Sequence, residues 1–128
     1  IGLALSDIRR SIASPLLVIR RTKFQADLVE LKREVERHAV VGLVLGLPVN
    51  MDGSEGPRVQ ATRGFARNMA NTLPLPLVFW DERLSTAAVT RTLIEADASR
   101  KRRGEVVDKV AAAYILQGAL DRLARLET

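Results

Sequence analysis

Val40-Val41-Gly42-Leu43-Val44-Leu45-Gly46, running straight into Leu47-Pro48-Val49-Asn50-Met51-Asp52-Gly53-Ser54-Glu55-Gly56-Pro57, decides the fold class. The first seven residues carry no charge and consist of valine, leucine and glycine, which is how a strand buried on both faces of a mostly parallel sheet reads. The next eleven are dense in turn formers and predict a loop at the carboxyl end of that strand. In open α/β sheets that end is where ligands bind. Pro57 suits the first turn of a following helix.

Working outward, Phe24, Leu28, Leu31 and Val35 fall at i, i+4, i+7 and i+11, one stripe of an amphipathic helix between Phe24 and Ala39. His38, at its end, is expected to help satisfy helix-end carbonyls. Ahead of it, Ile1–Leu5 and Pro15–Arg20 read as strands around the polar turn Ser6-Asp7-Ile8-Arg9-Arg10, a hairpin. Beyond the central loop, Thr62, Phe65, Ala66, Met69 and Leu73 mark a second helix that stops before Pro74 and Pro76. Leu77-Val78-Phe79-Trp80 predicts a short buried strand ending in Asp81-Glu82-Arg83, with Phe79 and Trp80 in the core. Ser85 or Thr86 is placed to cap a third helix through Asp97, with Val89, Leu93 and Ala96 inward. A basic loop from Ser99 to Gly104 and a last helix from about Glu105 to Leu126 complete the chain. This order predicts an α/β fold whose mixed sheet starts antiparallel and gains parallel strands, flanked by helices. With 128 residues, 47% of them hydrophobic, one core and one domain over 1–128 are expected.

Composition narrows the chemistry. The chain has no cysteine, so any metal must be held by oxygen ligands or by His38, and carboxylates with a hard cation are the natural set. The start lacks a signal-peptide pattern and no apolar run has the roughly 18 to 20 residues that cross a bilayer, so no membrane association and a cytoplasmic location are expected. Lys and Arg number 20 against 15 Asp and Glu, and the excess clusters at Arg9-Arg10, at Arg20-Arg21 with Lys23, and at Arg100-Lys101-Arg102-Arg103. Such clusters suit a polyanion, because cations placed on phosphates release condensed counterions. A basic surface that serves solubility alone is an equal reading of the first two.

Three features could carry chemistry. Asp81 and Glu82 leave a strand just ahead of a helix, where at most one of two neighbours faces a shared metal; the other is left to pair with Arg83 or a basic loop. Stabilising the next helix through its dipole is the bland alternative. Asp108 shares a helical stripe with Ala112, Ile115 and Ala119, which places a carboxylate on the core-facing side, where it must be paired, neutralised or bound to metal. A position at the rim, paired with Arg102 or Arg103, is the other reading. The Gly46–Pro57 loop offers amides and small polar groups but lacks the Lys and glycine spacing of a Walker loop. Ser85 has no evident base and reads as a cap. Two or three carboxylates holding Mg²⁺ or Mn²⁺ would make a phosphodiesterase site.

Four segments in register, Ile1-Gly2-Leu3-Ala4-Leu5-Ser6-Asp7, Val44 to Pro57, Asp81-Glu82-Arg83-Leu84-Ser85-Thr86 and Val107-Asp108-Lys109-Val110-Ala111-Ala112, resemble the YqgF/RuvX family over nearly the whole chain. The resemblance implies a ribonuclease H-like fold and a divalent-metal nuclease, with roles in maturing the 5′ end of 16S ribosomal RNA or in resolving Holliday junctions. Carried over by position, Asp81, Glu82 and Asp108 are the expected catalytic and metal-binding residues, with Mg²⁺ or Mn²⁺ as cofactor. Arg83, Asn50, Arg100, Lys101, Arg102, Arg103 and Lys109 are expected to meet structured RNA or branched DNA. In the family a strand ending in an aspartate precedes the segment matched by Ile1-Gly2. This chain does not contain it, and the domain is expected to be N-terminally incomplete. A non-catalytic nucleic-acid-binding module, a protein-interaction domain and a homodimer are readings the residues leave open.

Overall fold

The computed structural model describes residues 1–84 and 100–126, with the backbone alone for 100–107. Its elements are β1 (Gly2–Ser6), β2 (Ala13–Val18), α1 (Phe24–Arg37), β3 (Leu43–Leu47), α2 (Pro57–Ala70), β4 (Leu77–Asp81), a 3₁₀ turn (Glu82–Leu84) and α3 (Arg100–Leu126). The expected third helix, with Ser85, Val89, Leu93 and Ala96, lies outside the described residues.

β1 and β2 form an antiparallel hairpin, Gly2 opposite Val18 and Ser6 opposite Ala13. Its turn is built by Asp7, whose carboxylate accepts the amides of Ser11 (2.8 Å) and Ile12 (3.0 Å) and the Ser11 hydroxyl (3.2 Å). Arg10 takes the left-handed conformation, φ 57°, that the reversal needs. The amide bonds from Ile12 and Ser11 hold the Asp7 carboxyl below its ordinary pKa.

β3 and β4 pair in parallel, Leu43 opposite Leu77 through Leu47 opposite Asp81, with α2 as the crossover between them. Both kinds of pairing therefore occur in the expected order, antiparallel first and parallel later, but among the described residues they form two separate two-stranded sheets and not one mixed sheet. Strand alternation gives the parallel pair two distinct faces. Leu43 and Leu77 meet Leu28, Met69 and Leu73 together with Phe24, Leu31, Val35 and Phe65. Phe24 and Phe65 stand edge to face at 5.4 Å. Val44 and Trp80, on the opposite face, meet Ala111 and Ile115 of α3. The α3 helix also packs on β1 and β2, so one helix spans both strand pairs. Gln117 secures it: the side-chain carbonyl accepts the Ala13 amide at 2.8 Å, while its NH₂ donates to the Ser11 carbonyl at 2.8 Å and to Asp121 at 2.9 Å.

Three expectations are corrected. The central strand starts at Leu43 and not at Val40, because the end of α1 consumes the residues between: Ala39 is left-handed at φ 51° and the Val40 amide donates to the Val35 carbonyl. The parallel strands are half-buried and not wholly enclosed, with Val78 56% and Phe79 37% exposed, since a two-stranded sheet is only partly overlain by its helices. The run 100–103 is helix and not loop. Arg and Lys are good helix formers, and a 27-residue helix absorbs Gly104, whose cost relative to Ala is about 1 kcal/mol.

Among the described glycines Gly2 marks the tightest approach, since a Cβ there would overlap the backbone carbonyl of Asp108. Gly2→Ala is therefore expected to lower stability by about 1–3 kcal/mol, as overpacking does where backbone must move. Gly46→Ala meets chiefly the flexible tip of Ile115, and its loss should be smaller. Urea midpoints of the two variants test this, and an equal or reversed order contradicts the packing. Because folding depresses the Asp7 pKa, its contribution is full above the unfolded value of about 3.9 and is lost as pH falls through the folded one. Asp7→Asn should lower stability at neutral pH and flatten its decline below about pH 4. Parallel acid-limb curves for the two proteins would contradict it.

Candidate active site at the carboxyl edge of the parallel strands

The last residue of β4 and the loop after β3 meet at one edge. Asp81 continues the face of Leu77 and Phe79, after which the chain tightens into the 3₁₀ turn and Glu82 folds back over β3. From the position a Cβ would take on Gly46, Glu82 Cγ is 3.4 Å and Oε1 3.5 Å away, with Ile115 of α3 alongside. The adjacent carboxylates therefore diverge: Glu82 lies toward the α3 face and Asp81 toward the loop.

Asp81 is taken up by Arg83. Its Oδ1 accepts the Arg83 amide (2.9 Å) and Nε (3.1 Å), while Oδ2 accepts Nε (3.0 Å) and Nη2 (2.7 Å). These bonds from Arg83, and its charge, hold the Asp81 carboxyl below the ordinary range, and Asp81 in turn raises the Arg83 pKa. The remaining arm, Nη1, donates to the Met51 carbonyl at 3.4 Å. Arg83 is thus joined both to the strand end and to the loop.

That loop is a tight turn. The Asn50 amide donates to the Ser54 carbonyl (3.1 Å) and the Gly53 amide to the Asn50 carbonyl (2.9 Å), with Gly53 at φ 89°, where glycine is favoured. Asp52 Oδ1 accepts the Ser54 hydroxyl (2.6 Å) and amide (2.9 Å). Together with Arg83, these lower its pKa. The Asn50 side-chain amide donates to the Ser54 hydroxyl at 3.0 Å. Just beyond the turn, Glu55 accepts from Arg63 Nε (2.9 Å) and Nη2 (2.8 Å), and the Arg63 guanidinium lies 5.3 Å from the centroid of Phe79. Sequence reasoning missed the Glu55–Arg63 brace and the Met51 carbonyl. Glu55 lies in the loop before α2 and Arg63 within it, so no single period relates them, and a backbone acceptor carries no residue-type signal.

Asp108 stands at the rim, one of its two expected positions, with the side chains of Arg102 and Arg103 outside the described residues. Ile115 and Ala119 are buried and Ala112 half-buried, but Asp108 is exposed. Among the described side chains of α3 the first buried one is Ala111, and at Asp108 the helix backbone faces Gly2, which has no side chain to cover a carboxylate. Burial therefore imposes no partner on it. Among the described residues no three of Asp, Glu and His gather to hold a metal ion. Asp81, Glu82 and Asp108 do not form a ligand set on their own.

The other expected residues are dispersed. Lys109 is half-buried beside β2, where with Leu16, Leu17, Val18 and Arg20 it lines a hollow of about 310 Å³. Arg100, Lys101, Arg102 and Arg103 open α3, and their side chains lie outside the described residues. The His38 amide caps α1 through the Glu34 carbonyl, while its ring stands 3.3 Å from the Glu34 carboxylate and not on helix-end carbonyls. Trp80 packs in the core as expected, its ring 3.0–3.1 Å from where a Cβ on Gly118 would be. Phe79 instead lies half-open beneath Arg63.

Comparison with known proteins agrees with this architecture. A family model described as RuvX, Holliday junction resolvase, matches residues 1–122. A protein of Paracoccus denitrificans named "Putative pre-16S rRNA nuclease" is 68% identical over 123 residues, which are 96% of this chain and 78% of that protein. Proteins of the same name from Rhodobacter capsulatus and Methylocella silvestris are 64% identical over 126 residues (98% and 79% of the two chains) and 61% identical over 127 (99% and 79%). With the family model spanning nearly its whole length and relatives this similar, the chain belongs to the RuvX family.

Proposed function

We propose that this protein is a nuclease that hydrolyses phosphodiester bonds and processes the 5′ end of pre-16S ribosomal RNA, using Mg²⁺ or Mn²⁺, in the cytoplasm. The observation that carries the reading is the meeting of the Asp81–Arg83 pair with the 50–54 turn at the carboxyl edge of the parallel strands, with Glu82 at the same edge on the α3 side. The names of the relatives support a ribosomal RNA precursor as substrate. The net charge of +5 and the basic run 100–103 favour a polyanion. Among the described residues no helix is long and apolar enough to cross a membrane.

The carboxylates are hard oxygen donors suited to Mg²⁺ or Mn²⁺, and such an ion would supply activation of water and neutralisation of the leaving oxygen. Glu82 and Asp108 are the residues assigned to hold it, Glu82 because it folds toward the face that α3 covers and Asp108 because it is carried by α3. Resolution of four-way DNA junctions is the second reading, favoured by the description of the matching family model.

Full-length protein with Mn²⁺ should cut a precursor 16S RNA fragment and lose that activity in EDTA. Asp108→Asn should slow cutting by about 100-fold or more while RNA binding changes little. Undiminished cutting by the purified variant removes Asp108 from the mechanism. Cutting of a four-way DNA junction alone transfers the assignment to junction resolution, and binding of either substrate without cutting makes the protein a non-catalytic binder. Affinity for the RNA should also fall linearly on a log–log plot against salt, and replacing Arg102 and Arg103 by Gln should reduce the slope by about 1 to 2. An unchanged slope places the basic run away from the RNA.

A further inference from the structure

We infer that Asp81 and Arg83 act as one clamp that positions the 50–54 turn at the active edge, making Asp81 a positioning residue and not a metal ligand. The inference rests on the reading of this edge as the active site.

A carboxylate has two oxygens with about four lone-pair directions between them. In Asp81 both oxygens are occupied by Arg83: Oδ1 by the backbone amide and Nε, Oδ2 by Nε and Nη2, at 2.7–3.1 Å. A metal ion at Asp81 would have to displace a forked, charge-assisted pair and sit beside a guanidinium of its own sign. Glu82, one residue later, is turned toward Gly46 and leaves that pair undisturbed.

The other end of the guanidinium reaches the turn. Nη1 lies 3.4 Å from the Met51 carbonyl and 3.5 Å from the Cβ position of Gly53, and the Asp52 charge acts on it. The hydrogen bonds among Asn50, Asp52, Gly53 and Ser54 fix the shape of the turn, but they do not fix where it stands relative to β4. Arg83 does that, because Asp81 sets its orientation from the last residue of the strand. The guanidinium fork is essential to this role: Lys would retain the charge but lack the two parallel donors.

The test uses full-length wild type, Asp81→Asn, Arg83→Lys and the double variant, with circular dichroism to confirm folding. Three quantities are read: amide hydrogen exchange at Gly53 and Ser54, KM and kcat on the precursor 16S RNA fragment, and the Mn²⁺ concentration giving half-maximal activity. Each single variant should speed exchange and raise KM about five-fold, the range of a partly exposed ion pair, with half-maximal Mn²⁺ unchanged. The double variant should add nothing further, because both changes remove one device.

A ten-fold or larger rise in the Mn²⁺ requirement in Asp81→Asn, absent from Arg83→Lys, would make Asp81 a ligand and overturn the inference. Wild-type behaviour of Arg83→Lys would overturn it too, showing that a point charge suffices. If Asp81→Asn does not fold, Arg83→Lys decides alone. Should the wild type cut neither RNA nor junction, the nuclease reading fails by itself; exchange still judges the clamp, and unchanged exchange in the variants refutes it.

Discussion

The seam along which α3 lies on both strand pairs is the constraint on which the rest of the molecule depends. Each pair has only two strands, and a two-stranded ribbon is marginal unless something packs on it. One helix meets β1, β2 and β3, and its small residues let it come close. Ala111 is nearly inaccessible against Val44 and Trp80, Gly118 receives the Trp80 ring, and Gly2 admits the helix backbone at Asp108. Burying apolar area at about 25 cal/mol per Å² rewards this approach, while Gln117 satisfies polar groups of the hairpin that packing alone would leave unmatched.

That seam also governs the chemistry of the edge. With α3 covering one face of the parallel strands, β4 presents Trp80 to the helix and Asp81 to the other side. The change from extended strand to 3₁₀ turn then sends Glu82 back toward the helix face. Two neighbouring carboxylates thereby acquire different surroundings: Asp81 a guanidinium that holds it ionised, Glu82 a glycine floor and an isoleucine tip. That difference in surroundings follows from where the strand ends.

The loop after β3 is shaped from within and located from without. Asp52, Gly53 and Ser54 close the turn by local bonds. Contacts across the fold hold it in place, with Arg83 reaching Met51 on one side and Arg63 bridging Glu55 and Phe79 on the other. Loops carry function when a scaffold fixes them, and here two arginines connect loop to strand.

Features that depend on neighbours along the chain are legible in the residues alone. The stripe Phe24, Leu28, Leu31, Val35 specified α1, Pro57 and Pro74 bounded α2, and Asp52-Gly53 forecast a turn, because helical period, ring-locked φ and glycine's conformational freedom act within a few residues. The order of pairing, antiparallel first and parallel later, was legible for the same reason, from the order of elements. Alternation along a strand likewise told that Asp81 and Glu82 would part. The partner each received, the exposure of Asp108 although its helical angle matches the buried seam, and the place of Phe79 beneath Arg63 came from contacts across the fold. A periodicity states the direction a side chain takes from its own axis; whether anything stands there to cover it depends on elements brought close from tens of residues away.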